Sequence, residues 1–300
     1  MVSPVETIHC NPDDSDYCQR RYRDAGVVII KNALDAASMA KVDQAYEWRF
    51  ANPGPLVQQL YPESGGYFLQ DTGDCSKEHA FVDLYEQTPL PKIISQLFGS
   101  DDIWHVEDQL FFKEGGTADA RRTPWHQDIA YHQYVGSKSA TIWISLDDID
   151  EQLALEVIPG SHRGPLYNAS ALASNDDTEP LYDEGQMQRL PNIQADRDKW
   201  DIVTCTLKRG DLLIFNANML HGGAGVPRGR RRRTLTLRVI GDDVVRAPRP
   251  KVRSESVVTN NVGEDVKGHA RYKRVNMGEP LYKCGLFTKI SVRQARAAAQ

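Results

Sequence analysis

The segment Ile103-Trp-His-Val-Glu-Asp-Gln-Leu-Phe-Phe112 begins a series of short stretches that are rich in β-branched and aromatic residues. Four further stretches of this kind follow it, at 140–146, 155–158, 211–215 and 234–240. Such residues favour pleated, half-buried backbone, and turn residues separate the stretches. Many short strands without long intervening helices predict an antiparallel sandwich or barrel.

The residues before this series predict helices. Polar and apolar spacing indicates a helix over 13–24, a buried strand at 27–30, and further helices that begin after Asp35 and at Pro89. Glycines follow the first and last of these helices, as expected where a helix ends in the left-handed conformation.

We expect a single domain over residues 1–300. Its parts are a mostly helical flank at 1–100, a β core at 101–245, and a C-terminal extension at 246–300. The core contains a long polar segment with few strand signals, at 161–204, and a segment of that length is usually functional. We predict that it forms a lid over a site.

Composition and charge narrow the classes of protein. The formal net charge is −5 and the pI is about 5.9, which argues against general nucleic-acid binding. The chain has no apolar run of bilayer length, no secretory signal pattern, and five scattered cysteines without a C-x-x-C spacing. These features predict a cytoplasmic protein with reduced thiols and no membrane or nucleic-acid partner.

The motif Thr123-Pro-Trp-His126-Gln-Asp128 is a candidate metal site. Residues two apart on an extended strand point to the same side, so His126 and Asp128 can bind one ion. The best-placed third ligand is His221, which follows a buried strand and precedes two glycines that allow close approach. Two imidazoles and one carboxylate leave coordination positions open, as is typical of non-haem Fe(II) oxygenases. Other histidines are predicted to have no metal role: His105, His132 and His162.

The basic run Arg228-Gly-Arg230-Arg231-Arg232-Arg233 follows the last ligand. An α-keto acid that chelates iron has a distal carboxylate, which a guanidinium binds well through two hydrogen bonds. Arg232 lies 232 − 221 = 11 residues after His221 and leads into the last core strand. We predict that Arg232 binds this carboxylate, with Arg231 or Arg233 as alternatives. The run also has the composition of a nuclear address or an RNA-binding patch.

Together these motifs resemble the phytanoyl-CoA dioxygenase family of Fe(II)- and 2-oxoglutarate-dependent oxygenases. The resemblance runs from Asp24 to about Gly241 and includes Ala140-Thr-Ile-Trp-Ile-Ser-Leu-Asp-Asp148 and Val157-Ile-Pro-Gly-Ser-His162. It implies a mainly β fold with flanking helices, whose core is a double-stranded β-helix, or jelly roll. The cofactors that it implies are Fe(II) and 2-oxoglutarate, with O2 as cosubstrate.

The resemblance also implies roles for individual residues. The expected iron ligands are His126, Asp128 and His221, and the expected contacts to 2-oxoglutarate are Arg232, Gln109 and Trp143. Halogenating relatives carry a small residue in place of the aspartate, so Asp128 favours hydroxylation. One departure is Glu151-Gln152-Leu153, where relatives usually read Glu-Asn-Gly.

The predicted reaction is hydroxylation of an unactivated C–H bond in a medium-sized organic metabolite of secondary metabolism, with succinate and CO2 as co-products. Aromatic, apolar and polar residues near the predicted site suggest this substrate class: Tyr131, His132, Tyr134 and Leu153. Desaturation, epoxidation or rearrangement would use the same iron site. Further alternatives are a non-catalytic cupin-like binding protein, a metal-dependent hydrolase and a nucleic-acid-modifying oxygenase. The oligomeric state is left open.

Overall fold

The computed structural model describes residues 8–11, 13–172, 176–183, 185–253 and 272–292. Within these residues the helices are α1 Ser15–Ala25, α2 Ala36–Ala51, α3 His79–Glu86 and α4 Leu90–Phe98. The strands are β1 His9–Cys10, β2 Val27–Ile30, β3 Gln58–Gln59, β4 Tyr67–Gly73, β5 Ile103–Glu114, β6 Thr123–His126, β7 Tyr134–Val135, β8 Ser139–Ser145, β9 Leu155–Val157, β10 Val203–Cys205, β11 Leu212–Asn216, β12 His221–Gly223, β13 Arg231–Gly241, β14 Val245–Arg246 and β15 Thr288–Ile290.

Two sheets form the core. The major sheet has the order β1-β2-β11-β8-β13-β5-β4-β3, and β15 also pairs with β5. The minor sheet has the order β10-β9-β12-β6. All pairs are antiparallel except β1 with β2. The predicted mainly β jelly roll with flanking helices is confirmed.

The two faces of the major sheet have different partners. One face packs against α1 to α4 in a large apolar cluster that includes Tyr22, Val42, Leu84 and Ile94. The opposite face packs against the minor sheet, where Trp143 and Phe215 meet residues of β9 and β10. Because alternate residues of a strand point to opposite faces, each long strand serves both layers.

The helix ends follow the local sequence. The Asp14 side chain accepts a hydrogen bond from the Tyr17 backbone N–H at the start of α1, and Asp35 accepts one from Ser38 at the start of α2. Gly26 ends α1 with φ of 75°. The predicted helices and strands of these segments are confirmed, but β4 and α3 were not predicted.

The part of 161–204 that the structure describes contains two short 3-10 helices, at Ser161–Arg163 and Arg197–Lys199, and the strand β10. Leu172 from this segment lines the main cavity. A lid function for the segment stays a prediction. No described helix combines the length and apolar character needed to span a bilayer.

Candidate metal centre and active site

The pairing of β6 with β12 places the two predicted histidine ligands opposite each other. His221 pairs with His126, and their ring centroids are 4.1 Å apart. The Asp128 Oδ1 atom lies 3.5 Å from Nε2 of His126 and 3.7 Å from Nε2 of His221. Three donor atoms therefore surround one point at separations that suit ligands of a single ion.

Asp128 reaches this point from a turn rather than from a strand. β6 ends at His126, Gln127 is still extended with φ of −120° and ψ of 123°, and Asp128 begins a 3-10 helix. The expectation of a continuous extended strand through Asp128 was therefore wrong by two residues. The shared side is kept because the backbone between the two ligands is extended.

Gln127, between the two ligands, anchors this turn. Its side-chain nitrogen donates to the backbone carbonyls of Pro165 and Asn218, at 3.1 and 3.0 Å, and its oxygen accepts from the Tyr167 backbone at 2.9 Å. The side chain is buried, so the amide has lost its water and depends on these partners. The sequence analysis missed this residue.

Both histidines present Nε2 to the common point. Nδ1 of His126 lies 2.8 Å from the Pro124 carbonyl oxygen, and Nδ1 of His221 lies 3.0 Å from that of Met219. A carbonyl can only accept, so each Nδ1 donates its proton, and in the neutral form of each ring Nε2 has a lone pair for a metal. Burial, followed by the charge of His126, lowers the pKa of His221 to about 3.

Asp128 is held by two further side chains. The Thr141 hydroxyl donates to Oδ2 at 2.6 Å, while Arg238 donates to Oδ1 at 3.0 Å and to Oδ2 at 3.3 Å. Burial alone would raise the pKa of Asp128, but Arg238 and the two histidines bring this pKa well below its usual value. The carboxylate is therefore ionised and fixed in orientation.

Arg238 connects this aspartate to the next part of the cavity. Its guanidinium also donates to Glu107 at 3.0 Å and to the Gln109 side-chain oxygen at 2.9 Å. Burial lowers its pKa, yet Asp128 and Glu107 raise it above the ordinary value. Arg238 was not predicted from the sequence. It could have been found as a charged residue at a position of the last core strand where burial is expected.

Arg232, on β13, also lines this cavity. It is only 4% exposed, it donates to the Leu153 carbonyl, and its Nε has no hydrogen-bond partner. Its Cζ is 5.9 Å from the centre of the Trp143 ring. Burial lowers the pKa of Arg232 to about 10.

The neighbouring arginines face elsewhere. Arg231 is exposed, and Arg233 forms an ion pair with Asp147 at 2.7 Å. Alternate residues of a strand point to opposite sides, so Arg232 alone of these three lines the cavity.

Lys113 is the cross-strand neighbour of Arg232 and is 1% exposed. Its Nζ donates to the Arg121 carbonyl and to the Thr123 hydroxyl, both at 2.9 Å, and lies 3.7 Å from the Phe68 ring centre. Burial, and then the charge of Arg232, lower the pKa of Lys113 well below its usual value. No carboxylate of the described residues pairs with either cation.

One cavity of about 190 Å³ is lined by the three donor residues, Arg238 and Arg232. The predicted site residues all line it: His126, Asp128, His221, Arg232, Gln109 and Trp143. Gln109 uses its oxygen for Arg238, and its nitrogen lies 3.4 Å from the Gln70 oxygen. Much of the remaining wall is apolar or aromatic: Leu56, Leu60, Tyr61, Phe68, Phe111, Tyr131, Leu155, Leu172 and Phe215.

The other histidines occupy different places. His132 lines the cavity, with Nε2 3.5 Å from Glu107 and Nδ1 3.0 Å from the Tyr272 hydroxyl. His162 contacts the Arg23 carbonyl near α1, away from the cavity. His105 is on β5, and its ring contacts the Tyr85 hydroxyl of α3 on the helix side of the sheet.

Comparisons with solved structures agree with this fold. The chain is similar to the non-haem α-ketoglutarate-dependent carbocyclase SnoK from nogalamycin biosynthesis, with 16% identity over 91% of this chain and 95% of that one and a TM-score of 0.63. It is also similar to the epimerase SnoN in complex with Fe3+, α-ketoglutarate and nogalamycin RO, with 17% identity, coverages of 79% and 87%, and a TM-score of 0.60. EctD from S. alaskensis, in its apoform, is 20% identical, with coverages of 74% and 75% and a TM-score of 0.54.

Sequence comparison identifies the family. No curated protein matches the chain. A sequence profile of the phytanoyl-CoA dioxygenase (PhyH) family matches residues 22–234, a span that contains the predicted ligands and Arg232. The chain therefore belongs to the phytanoyl-CoA dioxygenase family of Fe(II)- and 2-oxoglutarate-dependent oxygenases.

Proposed function

We propose that His126, Asp128 and His221 bind iron in this enzyme and that Arg232 binds the far carboxylate of 2-oxoglutarate. The enzyme hydroxylates an unactivated C–H bond of a medium-sized organic metabolite, an intermediate of secondary metabolism. The observation that carries this proposal is one cavity that is lined by the three-donor set and by Arg232, a buried guanidinium without a carboxylate partner in the described residues.

The donor set fits iron. Two imidazoles and one ionised carboxylate supply the three donor atoms, and all three residues line the cavity. This arrangement is typical of non-haem Fe(II), and zinc could not supply the redox chemistry that an oxygenase needs. When bound, iron with 2-oxoglutarate supplies an O2-dependent oxidation that yields succinate and CO2.

The cationic end fits a dicarboxylate. Burial of an unpaired charge is costly, so Arg232 and Lys113 favour an anionic ligand. Arg232 presents the free Nε and the planar fork that carboxylates prefer. Lys113 lies behind Thr123 and adds positive charge, while Trp143 forms the wall beside the guanidinium.

The remaining walls fit an organic substrate. Phe68, Phe111 and Leu172 provide apolar surface that excludes water, whereas Gln70 and Thr72 offer hydrogen-bonding groups on β4. Mostly apolar pockets with a few polar groups are typical of small-molecule sites. The complex of SnoN with nogalamycin RO supports a metabolite of medium size.

The ion pairs of the basic run also favour a small-molecule substrate over nucleic acid. Arg230 pairs with Asp150 at 2.7 Å and Arg233 with Asp147 at 2.7 Å, so nearby carboxylates neutralise part of the charge. We propose that this activity takes place in the cytoplasm, as the sequence predicts.

Rearrangement at the same site is the second candidate reaction. The observation that favours it is the similarity to an epimerase and a carbocyclase. Both candidate reactions use the same iron and cosubstrate positions.

Cosubstrate turnover tests the proposal. We expect succinate to form only when Fe(II), 2-oxoglutarate and O2 are all present, and His126→Ala to abolish its formation. His79→Ala is the matched control, because the His79 side chain is 91% exposed on α3. Full succinate formation by His126→Ala would contradict the assignment of the iron ligands.

A further inference from the structure

A second group of possible metal ligands lies at β5, on the face of the major sheet that the helices cover. His105 and Asp108 are on this strand, and Asp74 follows β4. The pairing register between β5 and β13 shifts at Val106. Glu107 pairs with Arg238, and His105, two residues earlier, pairs with the very next residue of β13. This β-bulge brings two residues three positions apart to the same face, the one that the helices cover.

The spacing of these three side chains is that of ligands. His105 Nε2 lies 3.6 Å from Asp74 Oδ1 and 3.6 Å from Asp108 Oδ2. A distance of 3.6 Å is too long for a hydrogen bond. Two atoms bound about 2.1 Å from one ion in tetrahedral geometry are about 3.4 Å apart, which is close to these distances.

Two buried atoms of the group have no hydrogen-bond partner: His105 Nε2 and Asp108 Oδ1. Both side chains are fully buried. Nδ1 of His105 lies 2.7 Å from the Tyr85 hydroxyl, which fixes the ring. When this hydroxyl accepts from Nδ1–H, the lone pair of Nε2 faces the two carboxylates. Buried polar atoms without partners are rare, so the unpartnered Nε2 points to an absent cation.

The negative net charge of the surrounding residues also favours a bound cation. Arg49 pairs with Asp71 at 2.9 Å and lies 3.5 Å from Asp108. Asp71 and Asp108 thus contact one guanidinium, and Asp74 lies beside His105. The three carboxylates and one guanidinium carry a formal charge of 1 − 3 = −2 when His105 is neutral. One divalent ion cancels this charge. The Asp74 side chain is 31% exposed, which gives an ion a path from solvent.

We propose that Asp74, His105 and Asp108 bind one Zn(II) ion, with water as the fourth ligand. Imidazole and carboxylate ligands at tetrahedral spacing suit zinc. The ion joins the segment after β4 to β5, and through Tyr85 it fixes α3 against the sheet. Its role is structural, because the cluster is on the face of β5 opposite the active-site cavity.

The test uses the full chain with the iron site removed by His126→Ala/His221→Ala. This double variant is expressed with zinc in the medium, and its metal content is measured by mass spectrometry. We expect one zinc per chain. We expect Asp74→Asn in this background to weaken zinc binding at least about tenfold in competition with a chromophoric chelator. Asp102→Asn is the control, because Asp102 is exposed and pairs with Lys289.

Replacement of the ion by Co(II) gives a second readout that leaves the cluster unchanged. Tetrahedral Co(II) has intense visible bands, and we expect them in the double variant and not after Asp74→Asn. Circular dichroism serves to check that each variant is folded. A double variant that binds neither zinc nor Co(II) would overturn the proposal, as would zinc binding that Asp74→Asn leaves unchanged. Either result would mean that the cluster holds no metal and consists of a protonated His105 between two carboxylates.

Discussion

Arg232 and Lys113 are directly opposite each other on β13 and β5, and both are almost completely buried. Like charges at such positions repel each other, and burial removes the water that would screen them. Neither has a carboxylate partner in the described part of the chain. The resting protein therefore holds unfavourable positive charge that a dianionic cosubstrate would neutralise.

The first prediction concerns Arg232→Ala. Loss of a charge-assisted hydrogen bond costs about 1.5–3 kcal/mol, so we expect the 2-oxoglutarate requirement to rise roughly 10- to 150-fold. Iron affinity should change little, because Arg232 is not one of the three donor residues. The measurement is the KM for 2-oxoglutarate in succinate formation. Arg233→Ala is the matched control, since Arg233 pairs with Asp147 outside the cavity. Equal effects of the two changes would assign no special role to Arg232.

The second prediction concerns Lys113→Met without cosubstrate. Removal of an unpaired buried ammonium in favour of an apolar chain of similar length should raise the free energy of unfolding by about 1–3 kcal/mol near neutral pH. Lys92→Met, an exposed change on α4, should have little effect. Denaturant unfolding measures both. A less stable Lys113→Met protein would contradict the idea that this charge is unpaired in the resting state.

The pH dependence of this difference has a defined sign. The pKa of Lys113 is lowered on folding, so the unfolded chain binds more protons between the lowered pKa and the ordinary value of about 10.4. The stability of the unmodified protein should therefore rise with pH across this window, relative to that of Lys113→Met. Parallel stability curves for the two proteins would disprove the lowered pKa.

The third prediction concerns Arg238→Met. This change leaves Asp128 and Glu107 buried without their cation, so we expect the metal-free protein to lose about 3–5 kcal/mol of stability. Adding Glu107→Gln to this variant should recover part of the loss. Arg209→Met is the control, because Arg209 pairs with Asp43 at the surface. Thermal unfolding measures each protein, and an equal loss in the control would refute the role of Arg238.

Some parts of the site could be predicted because their cause is local. His126 and Asp128 are two residues apart with extended backbone between them, so sequence spacing alone brings them together. Arg232 was predicted from its spacing after His221, with Arg231 or Arg233 as alternatives, and of these three only Arg232 lines the cavity.

Other parts depend on long-range pairing and could not be predicted in this way. Arg238 meets Asp128 only because β13 crosses the sheet beside β5 and β8, and the two residues are 110 positions apart. The bulge near Val106 changes which residues of β5 share a face, so simple alternation places His105 and Asp108 on opposite sides. β4 was missed because its residues, Tyr67–Gly73, include glycine and aspartate, which strands disfavour.

The most direct test of the proposed function is anaerobic titration of the metal-free protein with Fe(II) and 2-oxoglutarate, followed by visible absorbance. We predict a weak charge-transfer band that requires both components, is absent in His126→Ala/His221→Ala, and needs more 2-oxoglutarate in Arg232→Ala. If the unmodified protein binds Fe(II) and 2-oxoglutarate but gives no band, the cosubstrate does not chelate iron at this site and the proposed function is wrong.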